Sequence, residues 1–148
     1  MVSGIDPSVL RAAREKAGLT QHELARLVGA AGGERISRWE LGASVPRPDF
    51  LVKLARALEI PTLRLIHMEG EVPDLRALRL KAGLTVPELA AAVNVAVPTY
   101  YAWEQGRWTR LPAAQQVESL ARGLTDTVDV VVAAFQEARQ QRLRRGQV

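Results

Sequence analysis

The chain contains no cysteine. That removes disulfide frameworks, thiolate zinc sites and cysteine nucleophiles together. Histidine is nearly as scarce. His22 and His67 stand alone, far from any spacing that ligates a metal. No apolar run approaches the roughly 20 residues that span a bilayer. The opening MVSGIDPSVLRAAREKAG meets charge too early for the apolar core of a secretory leader. The glycine-rich GAAGGER (29–35) lacks both the Lys-Ser/Thr ending and the preceding strand of a phosphate loop. These absences argue against an enzyme, a bound cofactor, a metal site and a membrane partner. The lack of thiols fits a reducing, cytoplasmic setting.

What is present is arginine and repetition. The net charge is +4, and 17 of the 20 basic residues are arginine. The planar guanidinium suits bidentate contact with phosphate and guanine. A preference for arginine equally fits the base composition of a gene, so the count alone does not decide. The repeat is more telling. LRAAREKAGLTQHELA (10–25) returns as LRALRLKAGLTVPELA (75–90), and RISRWELG (35–42) is echoed by YYAWEQG (100–106). LARAL (54–58) returns as LARGL (120–124). The offset is 65 at the first match, 64 at the tryptophans and 66 at the last, so the length changes fall between the matched segments. One unit of about 60 residues has been duplicated. The expected domains are 1–68 and 69–148, joined through the short acidic HMEGEVP (67–73).

Each copy reads as several short helices. Asp6 before Pro7 is a cap followed by a residue suited to the first helical turn. Gly18 falls where a helix ends in the left-handed region. Thr20-Gln-His-Glu23 and Thr85-Val-Pro-Glu88 are capping boxes. A break of small residues and a Trp-bearing helix follow, ending at Gly42 or Gly106. RPDFLVKLARALEI and PAAQQVESLARGL supply a fourth helix. The valines of DTVDVVVAAFQEARQQRLRR suit a strand, but Val128, Val131, Val132 and Phe135 keep helical spacing and the basic end favours a helix C-terminus. The segment is expected to be a longer closing helix.

Two short helices about a tight turn, covered by a third, form a helix-turn-helix. The residues LRxxRxxxGLTQxELA…ISRWExGxxxPRP in copy one resemble the XRE family, the lambda-repressor-like helix-turn-helix regulators. Copy two resembles it more loosely. The resemblance implies an all-α fold of two tandem five-helix domains, and sequence-specific binding of double-stranded DNA in transcription regulation of a prokaryote or phage, at the nucleoid. By that likeness Gln21 and Arg47 grip the DNA backbone. Glu40 and Glu104 are expected to form a structural salt bridge or a cap, and the likeness implies Arg14 and Arg79 on the first helix as their partners. On the Trp-bearing helix Ile36 and Trp39 are expected to face inward, which leaves Glu34, Arg35, Ser37 and Arg38 to read bases.

Copy two has lost those readers. Aligned on tryptophan, it offers Pro98, Thr99, Tyr101 and Ala102, and Val86 replaces Gln21. Thr99 and Tyr101 remain as candidates for phosphate or a thymine methyl group. Residues 1–68 carry ten basic and seven acidic side chains, whereas 69–125 carry six of each. DNA affinity rests on phosphate neutralisation, so copy one is the stronger electrostatic candidate. The alternative is a protein-interaction or antitoxin-like module. In it, copy two presents an exposed Tyr101 and Trp108 to a partner or pairs two chains as a homodimer.

Overall fold

The computed structural model describes residues 4–146, so the outermost bounds of the two expected domains lie outside the described residues. The chain divides into two compact units, Met1–His67 and Met68–Val148. Among the described residues every regular element is a helix. Unit one contains α1 (Pro7–Lys16), α2 (Gln21–Val28), α3 (Gly33–Glu40), α4 (Pro48–Leu58) and α5 (Thr62–Leu65). Unit two contains α6 (Leu75–Lys81), α7 (Val86–Ala92), α8 (Val97–Glu104), α9 (Ala114–Leu124) and α10 (Val128–Arg145).

Local chemistry sets the helix ends. The Asp6 carboxylate accepts from the Val9 amide, and Asp74 does the same for Ala77. Both capping boxes close: the Thr20 hydroxyl accepts from Glu23 N while Thr20 N donates to the Glu23 carboxylate, and Thr85 and Glu88 repeat the exchange. These caps satisfy amide donors that a helix N-terminus otherwise leaves free. Gly18, Gly29, Gly42, Gly83 and Gly106 take the left-handed conformation, mostly just past a helix end.

The extra residue of copy one falls inside the turn of the helix pair. Gly29 and Asn94 are the equivalent left-handed residues. Three residues, Ala30 to Gly32, separate Gly29 from α3, and two separate Asn94 from α8. The helix itself is not displaced, because Gly33 and Val97 start α3 and α8 at the same distance from their tryptophans. Gly33 is needed for another reason. A Cβ there would stand 2.9 Å from His22 N and 3.1 Å from His22 Cα, so the start of α3 lies directly on the start of α2.

Each core is built on the matched positions. In unit one Leu10, Leu24, Ile36, Leu51, Leu54 and Leu65 are fully buried, each worth about 1.5–3 kcal/mol of transfer free energy. Trp39 is buried and tilts against Phe50 of α4, ring centroids 5.5 Å apart. In unit two Trp103 packs instead on Phe135 of α10, also at 5.5 Å. The valine-rich segment is helical, as its spacing predicts: Val131, Ala134, Phe135 and Ala138 are buried on one face. Gly106 lets that helix come closest, since a Cβ there would collide with the Ala138 carbonyl oxygen. Trp108 departs from the sequence expectation of an exposed aromatic. Its ring packs edge-on against Phe135 at 5.9 Å, Arg139 lies over it at 5.1 Å, and its indole nitrogen is buried. The added turns of α10 supply that cover.

Candidate nucleic-acid interface

A three-way clasp ties the helix pair of unit one to α1. Arg14 donates from Nε to Glu40 Oε2 at 2.6 Å and from Nη2 to Oε1 at 3.0 Å, while its Nη1 donates to the Leu19 carbonyl. Gln21 Nε2 donates to the same Glu40 Oε1 at 3.1 Å. Glu40 is almost sealed from solvent, with 3% of its side chain exposed. The bond to Glu40 raises the Arg14 pKa, opposed by burial and helped by the charges of Glu40 and Glu15. Glu40 and Gln21 therefore join the C-terminal end of α3 to the first residue of α2.

Unit two keeps the clasp and changes its third member. Arg79 donates to Glu104 at 2.6 and 3.2 Å, and to the Leu84 carbonyl at 2.9 Å. Val86 stands where Gln21 is. The polar group beside the pair is the Tyr100 hydroxyl, from the position held by Ile36 in unit one. That hydroxyl is buried without a well-aligned hydrogen bond. Burial first, and then the Glu104 carboxylate, push its pKa well above the ordinary phenol value.

With Ile36, Trp39 and Glu40 turned inward, α3 presents Glu34, Arg35 and Arg38 to solvent, and Ser37 is half-buried. The side chains of Glu34, Arg35 and Arg38 form no ion pair or hydrogen bond among the described residues. Glu34 and Arg38 are four residues apart, the spacing at which such pairs usually meet, yet both ends are free. Arg35 and Arg38 share a shallow groove with Ser44, Val45, Pro46 and Arg47. Three arginines thus line one groove. Arg47 is exposed, 3.8 Å from Asp49. Leu41, just past α3, is 75% exposed.

Gln21 is half-buried and one of its amide hydrogens is committed to Glu40, which leaves the second and the backbone N–H for another acceptor. Thr99 and Tyr101 are exposed on α8, Tyr101 at 47%, beside exposed Val97 and Pro98. That face carries no charge, because Glu104 is buried in its clasp. The basic end of α10 is largely paired: Arg144 with Glu137 at 2.9 Å and Arg145 with Glu69 at 3.1 Å. The Arg–Glu pair of the clasp is the one the likeness to the XRE family implies. The roles of Gln21 and Tyr100 in it were not foreseeable, since their exchange joins two positions far apart in sequence.

Among the described residues no group of three His, Asp or Glu side chains is placed to hold a metal, and no helix is long and apolar enough to cross a membrane. Comparison with known proteins supports the reading of each unit. Residues 10–65 match the family model described as helix-turn-helix, and residues 74–134 match a second, described as helix-turn-helix domain. The chain is 40% identical over 72 residues to the HTH-type transcriptional repressor RghR of Bacillus subtilis (strain 168), covering 47% of this chain and 52% of the relative. It therefore spans about half the length of that relative. No solved structure gives a significant match.

Proposed function

Because this chain is a tandem of two helix-turn-helix domains, similar to the XRE regulators, we propose that it is a sequence-specific regulator of transcription that reads duplex DNA through its first domain. The observation that carries this reading is the contrast between α3 and α8. Their packing positions correspond, but only α3 places unpaired arginines on a groove shared with a third, Arg47. In this reading residues 1–68 lay α3 along the major groove. Glu34, Arg35, Ser37 and Arg38 meet base edges, while Gln21 and Arg47 hold phosphates. The repressor among its relatives agrees with such a role.

Residues 69–148 form the degenerate copy. Its uncharged α8 face, with Val97, Thr99 and Tyr101 exposed, favours pairing of two chains or docking of a protein over base reading. Thr99 and Tyr101 are its remaining candidates for DNA contact. Fluorescence anisotropy of the full chain on selected duplexes, beside sedimentation of the same samples, tests both parts. Combined Arg35→Ala, Arg38→Ala and Arg47→Ala substitution should abolish specific binding and leave oligomeric state alone. Combined Thr99→Ala and Tyr101→Ala should alter oligomeric state or partner binding and leave the DNA footprint alone. Retained specific binding by the triple variant would refute the first assignment, and a shortened footprint in the double variant the second.

A further inference from the structure

We propose that α3 reads two guanines lying within two base-pair steps of each other, one through Arg35 and one through Arg38. The inference rests on the placement of α3 in the major groove proposed above. Three residues advance a helix by about 4.5 Å, and Cβ atoms so related are about 5–6 Å apart. Stacked bases rise about 3.4 Å along a strand. Two such side chains therefore address positions one or two base pairs apart. A guanidinium meets guanine O6 and N7 together, the commonest specific contact in the major groove.

Two observations make Arg35 and Arg38 free to bind DNA, and a third favours base edges over phosphates. First, neither arginine serves the fold. The equivalent positions on α8 are Thr99 and Ala102, yet Trp103 is buried and Glu104 bonds Arg79 there as Trp39 is buried and Glu40 bonds Arg14 on α3. Second, neither is neutralised. Arg35 and Arg38 are like charges one turn apart with no acidic partner among the described residues. Third, Glu34 is exposed at the start of the same helix and also unpaired. A carboxylate held against a phosphate is repelled. Against a base pair it accepts from cytosine N4, the partner of guanine.

Selection of bound sites from random duplexes tests this with the full chain and with Arg35→Lys, Arg38→Lys, Arg35→Ala and Arg38→Ala. The natural chain should enrich sites with two guanines within two steps. Each lysine variant keeps its charge but loses the bidentate fork. Each should therefore lose about tenfold in preference at one of the two guanines, with the salt dependence of binding unchanged. An enriched site without the guanine pair would overturn the inference and leave the reading of α3 as a recognition helix standing. So would alanine variants that weaken all sequences equally and flatten the salt dependence, the mark of phosphate contacts. A natural chain that selects no sequence at all would overturn both.

Discussion

Gly42 and Gly106 end their tryptophan helices with the same backbone geometry, φ +72° and +71°, but their surroundings differ. A Cβ at Gly42 would meet only Pro7 Cγ, at an ordinary 3.7 Å. A Cβ at Gly106 would collide with the Ala138 carbonyl oxygen, 2.9 Å from the carbonyl carbon and 3.0 Å from Arg139 Cα. Those atoms are helix backbone and cannot step aside by changing rotamer. Alanine in the left-handed region costs about 1–2 kcal/mol, and that cost applies at both sites. Overpacking adds about 1–3 kcal/mol at Gly106 alone. Gly42→Ala should therefore cost about 1–2 kcal/mol, and Gly106→Ala about 2–5 kcal/mol. Urea denaturation of the full chain gives the totals, and hydrogen exchange resolved by segment places them. The loss in Gly106→Ala should fall on α8 and α10, and in Gly42→Ala on α1 and α3. Equal costs at the two sites would refute the claim that α10 lies directly against the end of α8.

Four further outcomes are expected. Glu40→Ala and Glu104→Ala each strand a nearly buried arginine and should cost about 3–5 kcal/mol within their own unit. Exchanging both partners for apolar side chains, as in Arg14→Met with Glu40→Leu, should cost much less in the same thermal melts. Burial raises the Asp74 pKa against the bond from Ala77 and the charge of Arg76. The ionised form therefore weighs against the fold at neutral pH, so Asp74→Asn, an equally good cap, should raise the melting temperature there and lose its advantage in acid. Glu23 is the opposite case. The Thr20 amide and then the Thr20 hydroxyl lower its pKa. Its contribution is complete above the ordinary glutamate pKa and lost as pH falls through the lower native value; amide protection of α2 should fall there, and Glu23→Gln should flatten the response. Glu34→Gln should raise affinity for non-specific duplexes and relax base choice at one position, measured by competition binding.

The sequence displayed whatever is written locally or written twice. Thr20–Glu23 and Thr85–Glu88 announce their helix starts, Gly42 and Gly106 their ends, and the double Trp–Glu phrase announces the duplicated domain. The Arg14–Glu40 and Arg79–Glu104 pairs were expected from the likeness to the XRE family, and both form. Contacts made by one copy alone were not legible. Nothing in GRW at 106–108 reports that α10 will lie across it, because that depends on the extra turns carrying Phe135, Ala138 and Arg139. Gly33 reads as loose linker, yet its lack of a side chain lets two helices touch at His22. At the candidate interface the exposed arginines could be named from periodicity. Their lack of partners could not, since Glu34 stands at pairing distance in sequence and does not pair.

The exchange of Gln21 and Ile36 for Val86 and Tyr100 bears on how such a duplicated gene can change. A crossover between the α2-type and α3-type segments of the two repeats would mix the pairs. One product would carry valine with isoleucine, with no second polar side chain beside the glutamate and arginine. The other would carry glutamine with tyrosine, crowding two polar groups at one sealed carboxylate. Neither hybrid would keep the single polar group, Gln21 or Tyr100, that stands beside the pair in each copy. The units are therefore exchangeable as whole domains and not helix by helix, and a graft of the α3 surface onto α8 must leave Tyr100 in place or carry Gln21 with it.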